Sequence, residues 1–169
     1  MDDFKVINRV LLVDDDQKFL NTSKKYLINT KEVFSEDQIL TAISKEDAIR
    51  QFNEHDDIDI LVSDVVMENN LAGLELVKYV RSELRRDKLQ IILHTGQAGE
   101  IGEIGKEEEE LIKEYDINAF VKKGHDAPIK LLSALHSALR SFKLLCKIEE
   151  QKKEIEELYF RLKDFTLSQ

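Results

Sequence analysis

Asp14, Asp15 and Asp16 form a run of three carboxylates directly after the apolar stretch Val10 to Val13, and Asp64 follows a second such stretch, Ile58 to Val62. Carboxylates held side by side repel one another unless a hard cation sits among them. An ion such as Mg²⁺ takes a few carboxylate oxygens and keeps water at its other positions, where phosphate oxygens can enter. Thr95 closes the stretch IILHT and Lys123 closes AFVKK, adding a hydroxyl and an ammonium. Phosphoryl transfer asks for an in-line nucleophile, neutralisation of charge on the equatorial oxygens and little else. Asp64 as nucleophile, with a cation, Thr95 and Lys123, is a sufficient set. Gly96 beside Thr95 leaves room for the phosphoryl group.

These residues become a site only if the fold gathers them. Apolar runs of four to six residues alternate with longer amphipathic stretches, the pattern of an α/β fold with a parallel sheet and covering helices. Val10 to Val13, Ile39 to Ile43, Ile58 to Val62, Ile91 to Leu93 and Ala119 to Val121 read as five strands. The first and third are the most continuously apolar and belong in the centre. Every acidic, hydroxyl or basic group above then lies at the carboxyl end of a strand, the edge where open α/β sheets bind ligands.

Helices fill the intervals. LELVKYVRSELRR places Leu74, Val77, Tyr79, Val80 and Leu84 at helical spacing after Gly73, with its basic residues toward the end, where they oppose the helix dipole. Ser44 with Asp47 resembles a capping box, so a helix begins near Lys45 and turns Ala48, Ile49 and Phe52 inward. Pro128 suits the first turn of the last helix. Glycines at 96, 99, 102 and 105 read as a flexible loop, and Glu107 to Glu110 as the acidic first turn of a helix after it. Single aspartates after strands are common as caps, and Asp16 has the position to cap a helix opening at Gln17. His94 beside Thr95 reads as a packed or hydrogen-bonded residue whose titration near neutral pH could tune the site.

Composition narrows the field. The net charge of −9 arises before residue 141, since residues 141–169 hold six acidic and six basic side chains. An acidic domain without a basic patch disfavours nucleic-acid binding. Cys146 is the only cysteine, which excludes an intrachain disulfide and a zinc cluster and fits a reducing compartment. No segment approaches the roughly 20 apolar residues of a membrane helix, so the expectation is a cytoplasmic protein without a membrane partner.

The segments VLLVDDD, ILVSDVVMENNLAG, IILHTG and NAFVKKG, in this order, resemble the receiver domain of two-component response regulators over about residues 8–140. The resemblance implies a doubly wound, flavodoxin-like sheet of strand order 2-1-3-4-5. It implies Asp64 as phosphoacceptor, Mg²⁺ held by Asp15 with Asp14 assisting, by Asp64 and by the carbonyl of Val66, and Thr95 and Lys123 on the phosphoryl group. Lys123 is preferred to Lys122 because Phe120 then stands three residues earlier, where the family carries its switch aromatic. Thr95 and Phe120 become the coupled pair that reshapes the face made by the last two helices and the last strand. The implied donor is a sensor histidine kinase or phosphotransfer protein, and the only catalysis implied is the domain's own phosphorylation and dephosphorylation. Glu68 and Gly124 stand where the family has proline, the loop up to Gly73 is one residue longer, and the stretch from Thr95 to Lys123 is extended, a subtype trait.

Beyond Pro128 no glycine or proline interrupts the chain, so a single helix of up to about 40 residues can run to its end. Ser141, Ile148, Ile155 and Leu162 recur every seven residues with Leu144, Gln151, Leu158 and Phe165 between them, a heptad seam. Residues 1–140 are therefore expected to form the receiver and 141–169 a coiled-coil extension that pairs two copies or packs on a neighbouring domain. Two other functions compete. A phosphatase of the haloacid dehalogenase type would use Asp14 and Asp16 as its Asp-x-Asp, but leaves Asp64 idle and lacks a later acidic pair. A pseudo-receiver would only bind a partner, against which the complete acidic set argues.

Overall fold

The computed structural model describes residues 9–29, 34–69, 71–96 and 113–167. Five strands, β1 (Arg9–Val13), β2 (Ile39–Ala42), β3 (Ile58–Asp64), β4 (Gln90–Thr95) and β5 (Ala119–Lys122), make one parallel sheet in the order β2-β1-β3-β4-β5. β3 is central and buried at all seven positions, even at Asp59 and Ser63, because helices cover both of its faces. It runs two residues further than its apolar stretch predicts, so Asp64 is its last residue. The pairing of Asp64 with His94 of β4 holds those two residues in the sheet.

Successive side chains on the strands point to opposite faces, which divides the core in two. Val10, Leu12, Ile60, Val62 and Ile92 face α1 (Gln17–Asn29) and the last helix, α4 (Ala127–Leu167), through Leu20, Leu27, Leu131, Leu135 and Ala138. Leu11, Val13, Leu61, Ile91 and Leu93 face α2 (Lys45–Glu54) and α3 (Ala72–Ser82) through Ala48, Phe52, Leu76, Val77 and Val80. α2 starts as expected: Ser44 Oγ accepts from the amide of Asp47 at 3.1 Å, while the Asp47 carboxylate accepts from Ile43 one residue before the cap. Glu68 also serves this helix, its carboxylate accepting from the amide of Lys45 at 3.1 Å. A residue that departs from the family pattern thus places negative charge at a helix N-terminus.

α3 is shorter than its periodicity suggests. It ends at Ser82, and Arg85 lies beyond it with φ of 52°. Of the basic residues expected there, only Arg81 lies in the last turn, and it donates to the carbonyls of Tyr115, Leu89, Asp116 and Arg86, tying the entrances of β4 and β5 together. The glycine loop and the Glu107 to Glu110 turn lie outside the described residues.

α4 runs for 41 residues, about 60 Å at the usual rise. Pro128 is in its first turn, where a missing N–H costs nothing. Its first part is held by the core as far as Phe142, and Lys88 pairs with Glu149 just past that point. Beyond it, Ile148, Ile155, Leu158, Leu162 and Phe165 are at least half exposed. Among the described residues no helix is long and apolar enough to cross a membrane.

Candidate functional site

Asp14 follows β1 with its amide bonded to the carbonyl of Ala42 at 3.1 Å, which fixes it over the carboxyl edge of the sheet. Asp14 and Asp64 are buried, at 1% and 5% exposure, and Asp15 is exposed. One carboxylate oxygen from each of Asp14, Asp15 and Asp64 lies within 4.8 Å of the others. Asp16, the third of the acidic run, is not in this group: its Oδ1 accepts from the amides of Lys18 at 2.8 Å and Phe19 at 3.3 Å, capping α1. Its own amide donates to Asp14 Oδ1 at 2.9 Å, so the cap also orients Asp14.

Lys123 closes the cluster. Its Nζ lies 2.6 Å from Asp64 Oδ2 and 2.7 Å from Asp14 Oδ2. The bond to Asp64 is a directed hydrogen bond, whereas the approach to Asp14 is an ion pair whose angle leaves Asp14 Oδ2 without a hydrogen bond among the described residues. Lys122, the other lysine of the pair, is exposed at the end of β5, opposite Thr95 in register. The geometry thus selects Lys123, which is held in place by its amide bond to the Thr95 carbonyl at 2.7 Å. Burial resists the ammonium, but the Asp14 and Asp64 carboxylates together outweigh it and raise the Lys123 pKa above the ordinary lysine value. Burial also lifts Asp64 above the usual carboxylate range; Lys123 opposes that shift and Asp14 adds to it. Two buried carboxylates share one ammonium, so the pocket keeps an excess of negative charge.

These residues fit a small hard cation. The donors are all oxygens, buried Asp14 Oδ2 has no partner but the Lys123 ammonium among the described residues, and exposed Asp15 opens the cluster to water, as an ion that retains several waters requires. Val66 stands beside them, its amide 3.4 Å from Asp64 Oδ1. Thr95 is 4% exposed at the end of β4, and Phe120 of β5 is half-buried against the α2–α3 side of the core. Among the described residues, a Cβ built on Gly96 would meet only the Lys123 side chain, at 3.5 Å.

His94 packs, as its sequence reading has it, but the titration near neutral pH attached to that reading is not found. It packs face to face on Phe19, with centroids 4.6 Å apart, and neither ring nitrogen has a hydrogen bond among the described residues. Burial, with a smaller contribution from Lys123, pulls its pKa down to about 4, so it is neutral at physiological pH and no titration near neutrality tunes the site. Two further residues escape sequence reasoning. Phe19 lies under the Lys123 ammonium, 5.2 Å from ring to Nζ, as well as on His94. Gly73, read only as a helix start, brings α3 against the end of β3: its amide donates to the Val65 carbonyl at 3.1 Å, and a Cβ there would lie 2.0 Å from the Asp64 carbonyl oxygen.

The response regulator receiver domain family matches residues 10–135. The chain is 37% identical over 143 residues to the 3'3'-cGAMP-specific phosphodiesterase 2 of Vibrio cholerae, covering 85% of this chain and 26% of that protein. It is 31% identical over 91 residues to a chemotaxis protein CheY homolog of Campylobacter jejuni, covering 54% of this chain and 66% of the relative. The chain therefore spans about a quarter of the length of the first relative and under two thirds of the second. Among solved structures, a response regulator receiver domain protein from Clostridium thermocellum superposes with a TM-score of 0.65 at 23% identity, over 82% of this chain and 99% of that one. A structure described as adenylate cyclase from Rhodopirellula baltica does so with a TM-score of 0.70 at 22% identity, over 88% and 98%. At these identities the structural likeness speaks for the fold.

Proposed function

The chain belongs to the response regulator receiver domain family of two-component signalling, and from that premise we propose that it accepts a phosphoryl group on Asp64. The observation that carries this reading is the placement of Lys123 Nζ between Asp64 and Asp14 in an acidic pocket at the carboxyl edge of the sheet. Asp64 is the carboxylate that both touches the lysine and sits at the end of the central strand. Its oxygen attacks phosphorus in line. The new oxygen–phosphorus bond forms as the bond from phosphorus to the donor imidazole nitrogen breaks, and that nitrogen keeps the electron pair. The donor is a histidine kinase or a phosphotransfer protein.

The residues of this chain have separate tasks. Asp14, Asp15, Asp64 and the Val66 carbonyl would hold Mg²⁺, which supplies charge neutralisation for the transferring group. Lys123 moves from the carboxylate to the incoming phosphoryl oxygens, exchanging one anionic partner for another. The Thr95 hydroxyl donates to a second oxygen, and its movement toward the phosphate vacates space that Phe120 takes. Removing one of two buried charges from Lys123 and binding it to phosphate links the reaction to the β4–β5 edge.

The test is labelling by a small phosphodonor with Mg²⁺, read by intact mass. The wild type gains one phosphoryl group and Asp64→Asn gains none. Labelling that survives the substitution refutes the assignment, and a wild type that takes no label is a binding module only.

The exposed seam of α4 supports a second element of function. Apolar residues at Leu144, Ile148, Ile155, Leu158, Leu162 and Phe165 are 50–66% exposed on a helix that leaves the domain. Residues 141–169 pair two copies as a parallel coiled coil and carry the state of the receiver along the helix. The similarity to one segment of a phosphodiesterase fits a receiver whose helix leads to an output domain.

A further inference from the structure

Phe19 stands in the first turn of α1, half-buried, and meets residues from two distant parts of the chain. Its amide donates to Asp16 Oδ1 at 3.3 Å, so the cap that opens α1 also fixes the backbone carrying the ring. The ring stacks on His94, with centroids 4.6 Å apart. His94 in turn is locked into the sheet: it pairs in register with Asp64, and its carbonyl accepts from the amide of Val65 at 3.2 Å. The ring therefore rests on a residue that cannot shift without opening β4. Over this braced ring lies Lys123 Nζ, 5.2 Å from the centroid, inside the distance of about 6 Å at which a ring quadrupole attracts an ammonium.

The other partners of that ammonium are Asp64 at 2.6 Å and Asp14 at 2.7 Å, and phosphoryl transfer claims both of them. Asp14 and Asp64 would turn oxygens to Mg²⁺, and Asp64 gives one oxygen to phosphorus. Among the described residues, the Phe19 ring is the contact of Lys123 Nζ that neither the cation nor the phosphoryl group takes over. We propose that Phe19 is a positioning residue: its ring, seated on His94, keeps the Lys123 ammonium beside the acidic pocket while its anionic partner changes from carboxylate to phosphoryl. A leucine would fill much of the same space without the attraction, because it has no π face. The effect on rate rests on Asp64 as the acceptor, whereas the hold on Lys123 does not.

Two measurements on the full chain test this. NMR of lysine-labelled protein reads the Cε protons of Lys123, which an aromatic face moves upfield of their ordinary position. The upfield shift should be present without Mg²⁺ and persist when Mg²⁺ saturates the pocket. A wild type without that shift, or one that loses it on adding Mg²⁺, overturns the proposal. The second measurement is the rate of labelling by a small phosphodonor with Mg²⁺, in proteins carrying mono-, di- or trifluorinated phenylalanine at position 19 alone. Fluorine draws electrons from the ring face while nearly conserving its size, so the fold is kept and the attraction weakens. The rate at Asp64 should fall stepwise along the series, by about five- to tenfold at the trifluorinated ring, with Phe19→Leu at least as slow. Equal rates across the series would mean that the ring only packs, and overturn the proposal. A wild type that takes no label refutes the Asp64 assignment instead, and the NMR shift then decides the hold on Lys123 by itself.

Discussion

Replacing Gly73 with alanine isolates the contact that sets Asp64. In an unconstrained helix the substitution stabilises by about 1 kcal/mol, because alanine loses less backbone entropy. Here the added Cβ would lie 2.0 Å from the Asp64 carbonyl oxygen, 2.8 Å from the Val65 Cα and 2.9 Å from the Asp64 carbonyl carbon, all of them backbone. Ordinary contacts stand at about 3.5 Å, so α3 and the end of β3 must separate by about 1.5 Å at the closest point. Overpacking of this kind costs roughly 1–3 kcal/mol. Stretching the Gly73 amide bond to Val65, now 3.1 Å, adds about 1 kcal/mol. The helix gain offsets one such contribution, leaving a net loss of about 1–3 kcal/mol. Urea unfolding followed by circular dichroism gives the stability, and intact-mass labelling gives the rate at Asp64. Both should fall, whereas Gly96→Ala, whose Cβ meets only the Lys123 side chain among the described residues, should keep its stability. A Gly73→Ala protein as stable as wild type, labelled at the same rate, would refute the claim that this close approach positions Asp64.

Three other perturbations read different parts of the molecule. Lys123→Met keeps the aliphatic stem but leaves the Asp14 and Asp64 carboxylates facing each other, and should lower stability by about 2–3 kcal/mol in chelator, below the range for a fully buried pair because the lysine side chain is 26% exposed. Added Mg²⁺ should recover part of that loss, and Lys122→Met should show neither effect in the same melts. His94 is neutral when folded down to about pH 4 but protonates near 6.5 when unfolded, so its contribution is present at neutral pH and is lost as pH falls through that window. The wild type should therefore lose about 3 kcal/mol more than His94→Phe between pH 7 and pH 4 in parallel denaturation series, and equal losses would refute the neutral assignment. Ile155→Asp, in the exposed seam, should leave the melting of the receiver unchanged and convert a dimer to a monomer in sedimentation equilibrium.

The strands were legible because apolar runs alternate with amphipathic stretches, their order followed from the resemblance to receiver domains, and a period of two decides which side chains enter which half of the core. The long helix was legible because nothing after Pro128 breaks it. The carboxylates, Thr95 and the lysine pair were legible as residue types at strand ends, as far as naming Asp14, Asp15 and Asp64 together. Three features depended on contacts between residues far apart in the chain. Lys123 rather than Lys122 meets Asp14 and Asp64, because β5 ends at Lys122 and the next residue turns over the sheet edge. Gly73 is required by the approach of α3 to the end of β3, a distance no local pattern encodes. His94 loses its basicity chiefly because Phe19 and the surrounding core exclude water from it, with Lys123 adding to the shift. Periodicity reports which face a residue takes; which backbone or charge it meets there depends on elements brought together from across the chain, and that is settled by packing.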